Sequence, residues 1–158
     1  MSSYLTFYLV PKKTTKKYGF DGSQNTEDEI KLSEGKPLTF LTYSRGTDIY
    51  QAFNESLNVV YIGNDDEPKY EELTLDKINY VISEQEDDIK KTEQRLETDY
   101  KMLKNGAAVD DMWEDIHTME DYLREQHEVL QEIKYIKFWV TECIEGYNQF
   151  EKVLMNVD

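Results

Sequence analysis

Carboxylates are the side chains in this chain most able to do chemistry, and they are grouped. Glu86, Asp87 and Asp88 stand together, Asp110, Asp111, Glu114 and Asp115 form a second group, and Glu120, Asp121, Glu125 and Glu128 follow. Paired carboxylates serve general acid–base catalysis, but here they are too numerous for one pair to be singled out. Spaced along a rod, they would instead imitate a phosphate backbone. Such a rod occupies the basic groove of a nucleic-acid-processing protein and competes with its substrate. The plainer reading is a solvated helix face that keeps the protein in solution.

Other constellations carry less. Lys12, Lys13, Lys16 and Lys17, with Tyr18 and Phe20 beside them, have the make-up of a phosphate-contacting loop. Lysines in a polar loop more often face solvent or pair with the chain's own acids. Ser44, Arg45, Gly46, Thr47 and Asp48 join a strand to a helix, where backbone N–H groups hold anions. The run matches neither the phosphate-loop nor the dinucleotide signature, and a turn with a helix cap accounts for it. Asn64, Asp65, Asp66 and Glu67 offer oxygens to a hard cation, but the glycine and closing glutamate of a calcium loop are missing. His117 and His127 are the two histidines; on one helix they lie about 80° apart around the axis and about 15 Å along it. They share no metal. No HExxH or CxxC motif and no serine or cysteine paired with histidine is present.

The residues thus point to no catalytic group, no metal set and no cofactor, and the chain reads as a non-enzyme. Trp113 and Met112, with Met102 and Tyr100, gather at one place, either as an anchor for a partner or as a plug closing the end of a hairpin. The candidate partner-binding set is Glu86, Asp87, Asp88, Asp110, Asp111, Trp113, Glu114 and Asp115.

The elements that must position these residues are legible from periodicity. Tyr4 to Val10 alternates Leu5, Phe7 and Leu9 against Tyr4, Thr6 and Tyr8, a period of two that predicts a strand. Lys12 to Lys36 reads as a long loop, with a short strand around Ile30 to Leu32. Leu38 to Tyr43 is a second strand. Thr47 or Asp48 then caps a helix over Asp48 to Leu57, whose Ile49, Tyr50, Phe53 and Leu57 share a face. Val59 to Ile62 follows as a short strand.

After Thr74, Leu75, Ile82, Ile89, Leu96 and Leu103 recur every seven residues, the mark of a helix on a supercoiled seam. The alternate seam positions are Ile78, Gln85, Thr92 and Asp99, mostly polar. Asn105 and Gly106 supply a helix stop, and Asp110 restarts one. From Ile116 to Leu154 twelve positions alternate by threes and fours, and nine are apolar: Ile116, Met119, Leu123, Leu130, Ile133, Val140, Ile144, Tyr147 and Leu154, with Gln126, Lys137 and Glu151 between them. That spacing predicts one helix of about 40 residues. Folded back at Gly106, the two helices run antiparallel, and Leu75 falls opposite a residue near Trp139. The fold class is therefore α+β: a long antiparallel two-helix coiled-coil hairpin, with a small N-terminal β-β-α-β head packed on its thick end. Residues 1–72 form the head and 73–158 the hairpin, both parts of a single folded unit.

Composition sets the class of partner. With 33 acidic against 18 basic side chains the net charge is −15, a field that repels phosphate and attracts basic surfaces. Between residues 84 and 132, sixteen Asp or Glu face six Lys or Arg, a net of −10. Two thirds of the excess thus rides on the arm. The chain has no apolar run long enough to span a membrane and no secretion signal at its start. Its single cysteine, Cys143, has no partner for an internal bridge. These features place it in the cytoplasm, with no membrane and no direct nucleic-acid contact. The expected function is an acidic protein-binding module for the basic surface of another protein; the alternative is a structural or assembly component, a homo-oligomer built through the hairpin. In length, acidity and richness in Tyr, Asp and Lys the chain is similar in style to small accessory proteins of bacteriophages, a likeness of composition alone.

Overall fold

A computed structural model of the chain describes residues 3–12, 37–59, 70–106 and 109–157. Lys13, Lys16, Lys17, the expected strand near Ile30 and the Asn64–Glu67 turn lie outside the described residues. The described elements are β1 (Tyr4–Pro11), β2 (Leu38–Ser44), α1 (Asp48–Leu57), β3 (Glu71–Glu72), α2 (Leu75–Lys104), α3 (Val109–Glu145) and β4 (Phe150–Val157). They make an α+β fold with three helices and one antiparallel sheet of four strands in the order β2-β1-β4-β3.

The two central strands come from opposite ends of the chain. Leu5, Phe7 and Leu9 of β1 stand opposite Val157, Met155 and Val153 of β4. Residues directly opposed in an antiparallel pair project on the same face, so these six build one apolar layer, and all are buried. Helix α1 covers that layer, with the Phe53 ring 5.1 Å from Phe7 and nearly edge-on. Its start is held by Thr47, whose Oγ accepts from the Tyr50 N–H and donates to the Ser44 carbonyl. At its end Asn58 adopts a left-handed conformation (φ 53°). The Ser44–Asp48 segment is thus a capped turn. Val59 is fully buried but belongs to no strand; residues 60–62, the rest of that expected strand, lie outside the described residues.

Helices α2 and α3 pack against each other in antiparallel fashion. Gln85 meets Gln126, and further along α2 Tyr100 meets Glu120. At the other end Leu75 lines a common cavity with Val140, Cys143 and Ile144, the pairing that the sequence placed near Trp139. Thr74 caps α2 by accepting from the Lys77 N–H. Lys77 also ties α2 to β3 through the Glu71 carboxylate at 2.7 Å and the Glu72 carbonyl. The seven-residue repeat is buried at Ile82, Ile89 and Leu96, as are the alternate positions Ile78, Gln85 and Thr92. Each fully buried aliphatic side chain contributes about 1.5–3 kcal/mol.

The C-terminal third differs from the sequence expectation. The second helix does not run on to Leu154: it stops at Glu145, and Phe150–Val157 is a strand. Two expected seam residues are accordingly out in solvent, Ile144 at 61% and Tyr147 at 82% exposure. The stop is local: Gly146 sits at φ +78°, where a side chain strains the backbone. The Lys12 ammonium closes that end by donating to the Gly146 carbonyl at 2.6 Å. The Asn148 side chain then accepts from the Phe150 N–H and turns the chain into the sheet. The reward for the strand is long-range. β4 lies between β1 and β3 and satisfies backbone groups that would otherwise be exposed sheet edges.

Candidate functional site

Successive residues of a helix are about 100° apart around its axis, so neighbouring acids in the sequence need not share a surface. Glu86 and Asp87 are exposed on the outside of α2, whereas Asp88 is half-buried and turned toward α1. Asp111, Glu114 and Asp115 are exposed on the first turns of α3, where Asp110 also lies. Gln126 is the α3 residue that touches α2 beside Glu86. Trp113 lies thirteen residues before it, about 20 Å along the rod. The sequence-predicted set therefore divides into an end group around Trp113 and a mid-rod group at Glu86 and Asp87. Among the described residues Glu86, Asp87, Asp88, Asp111, Glu114 and Asp115 make no ion pair; the ion pairs found are Lys77–Glu71, Lys101–Glu97 and Arg124–Asp121.

The end group has an aromatic centre. Trp113, 45% exposed, stacks on His117 one turn later with centroids 5.8 Å apart. Tyr100 and Met102 are also exposed, and the apolar closure at this end is supplied by the fully buried Ile116. The Tyr100 hydroxyl donates to the Glu120 carboxylate at 2.6 Å. That bond, ahead of desolvation and the Glu120 charge, raises the Tyr100 pKa above its ordinary value. Beside it Leu96, Leu123 and Tyr100 floor an open groove of about 720 Å³ between α2 and α3, with His127 and Arg124 on one rim.

A second acidic surface was missed by sequence reasoning. Asp48 and Glu55, on one face of α1, meet Asp88 of α2 and Glu125 of α3 around a cavity of about 100 Å³. A neighbouring cavity of about 250 Å³ shares Asp48, Glu125 and Val129 with it and adds Glu128, Glu132 and Tyr43. Burial, then the charge of Glu132 and the hydrogen bond that its carboxylate accepts, push the Tyr43 hydroxyl up to about 12. Gln85 and Gln126 form the inner wall of the first cavity. Both stood at seam positions where an apolar residue was due, and that was the signal available in the sequence.

Lys12, the one described member of the lysine-rich stretch, caps α3. It also opposes the burial that pushes the Cys143 thiol up to about 11. His117 and His127 are both exposed. Among the described residues no group of three or more His, Cys, Asp or Glu is placed to hold a metal ion, and no helix is long and apolar enough to cross a membrane. No protein-family model, no curated protein and no solved structure matches the chain. The chain is an α+β protein in which a pair of long helices bearing carboxylates is joined to a four-stranded antiparallel sheet.

Proposed function

We propose that this chain is a non-enzymatic, cytoplasmic binding module whose carboxylates engage the basic surface of a protein, in the manner of a nucleic-acid mimic. In the finer reading, α2 and α3 act as a coiled-coil rod carried by the sheet. The observation that supports this is the exposure of Glu86, Asp87, Asp111, Glu114 and Asp115, none of them in an ion pair among the described residues. Carboxylates left unpaired within the chain are free to meet the positive charges of a basic partner. Trp113, exposed amid the end group, supplies the aromatic anchor that such interfaces centre on.

The test uses the full chain, immobilised and exposed to a panel of purified basic DNA-binding proteins. Capture falls steeply as salt is raised, duplex DNA competes with it, and joint reversal of Asp87, Asp111 and Asp115 to Lys abolishes it. Capture indifferent to salt and to the reversals overturns the reading. The open groove over Leu96 and Leu123 supports a second reading, self-assembly along the rod. Light scattering at high protein concentration tests it, and a monomer there removes it.

A further inference from the structure

The cleft between α1 and the helical pair combines two independent features. The first is charge: Asp48, Glu55, Asp88 and Glu125 converge on it from three helices, and no Lys or Arg lines it among the described residues. The second is an unmet hydrogen bond. Gln126 also lines the cleft, is only 5% exposed, and its Oε1 has no partner among the described residues. A buried acceptor left without a donor carries an uncompensated desolvation cost, which a donor-bearing ligand removes. Tyr122 adds an aromatic ring at the wall, 48% exposed.

The chemistry narrows the ligand. Among the described residues no three His, Cys, Asp or Glu are placed to hold a metal ion, and a cation with several donors can instead meet carboxylates from more than one helix. The cavity has room for several water-sized groups. A guanidinium is planar, carries five donors, pairs with carboxylates two bonds at a time and stacks on aromatic faces. An ammonium offers a point charge and three donors, and stacks less well.

We propose that this cleft, with Asp48, Glu55, Asp88 and Glu125 around the unpartnered Gln126 Oε1 and Tyr122 as its stacking wall, seats an arginine side chain of the basic partner. The proposal rests on the reading of the chain as a module for basic surfaces, and adds the position and chemistry of its most selective contact. The exposed rod acids steer the partner in; the cleft fixes one guanidinium.

The experiment follows side-chain amide signals of the isotope-labelled full chain by NMR, with blocked Gly-Arg-Gly and Gly-Lys-Gly peptides, spermidine and MgCl₂ at matched ionic strength. Gly-Arg-Gly is expected to shift saturably the amides of Gln126 and of Gln51, which also lines the cleft, and the other three more weakly. Glu125→Gln and Gln126→Leu each weaken binding at least about tenfold, the loss expected for one charged or buried hydrogen bond. Glu125 is exposed, so its variant tests the site without endangering the fold. Equal binding by Gln126→Leu, or by the lysine peptide, or tighter binding by spermidine, overturns the assignment. Should the arginine peptide shift nothing while capture of basic proteins still collapses in salt and in the rod reversals, the cleft falls and the broader reading stands. Should the peptide bind but the reversals leave capture intact, the broader reading falls alone.

Discussion

Gln85 and Gln126 meet inside the helical pair: the Gln85 side-chain amide donates to the Gln126 backbone carbonyl at 3.0 Å. Both are buried at positions where the seven-residue repeat calls for an apolar side chain. A polar residue at such a position specifies register at some cost in stability. Here both residues also line the acidic cleft.

Replacing Gln85 with Leu tests that cost. The substitution removes one neutral hydrogen bond, worth about 0.5–1.5 kcal/mol net. It adds aliphatic burial of about 2 kcal/mol, and the Gln126 carbonyl keeps its own helical bond. The expected result is a higher urea midpoint, corresponding to a gain of roughly 0.5–1.5 kcal/mol. A lower midpoint would mean that the amide is needed for packing.

The strand at the C-terminus makes a prediction opposite to that of a continuous helix. Met155 is fully buried opposite Phe7, so Met155→Ala should cost about 2–5 kcal/mol. Tyr147→Ala, at an exposed residue, should change stability by less than about 0.5 kcal/mol. Chemical denaturation of the two variants distinguishes the folds directly, because the helical seam would reverse the order.

Gly146 and Lys12 together close α3. A Cβ at Gly146 would sit 3.7 Å from the Lys12 Nζ, so space is adequate and the strain lies in the backbone at φ +78°. Gly146→Ala is therefore expected to cost about 1–2 kcal/mol. Lys12→Ala, which removes an exposed bond, should cost under about 1 kcal/mol. Thermal melts giving the reverse ranking would place the helix stop in the lysine contact.

At alkaline pH the folded state loses support from Tyr43 and Cys143. Burial is the first cause in both, with the Glu132 charge and hydrogen bond adding at Tyr43, and the hydroxyl moves from 10.0 to about 12. The thiol moves from 9.0 to about 11. A raised folded pKa means that the protonated form is the one the fold favours. The contribution is therefore complete below the unfolded values and disappears as pH climbs through the folded ones. Denaturant midpoints should be level to about pH 9 and then decline, and Tyr43→Phe should flatten the part of the decline above about pH 10. An unchanged slope in that variant would remove Tyr43 as a cause.

The amino-acid sequence by itself determined the local elements of this protein. Alternation over Tyr4–Val10 marks β1, the seven-residue repeat marks α2, Thr47 and Thr74 cap their helices, and Asn105–Gly106 ends α2. Each is written in short-range pattern, where side-chain period and backbone hydrogen bonding are enough. The tertiary structure decided the rest. Residues 150–157 contain Leu, Met, Glu and Lys, all good helix formers, and their apolar spacing fits a helix as well as a strand. Only pairing with β1, from the opposite end of the chain, selects the strand, because sheet preference depends on neighbours rather than on the residue. The candidate site divides the same way. The rod acids were visible because each group is a short run within one of the two helices that periodicity marks, and the structure then fanned each run around its helix. The acidic cleft was not visible: Asp48, Asp88 and Glu125 belong to three helices, and only the packing of α1 on the helical pair brings their charges to one cavity.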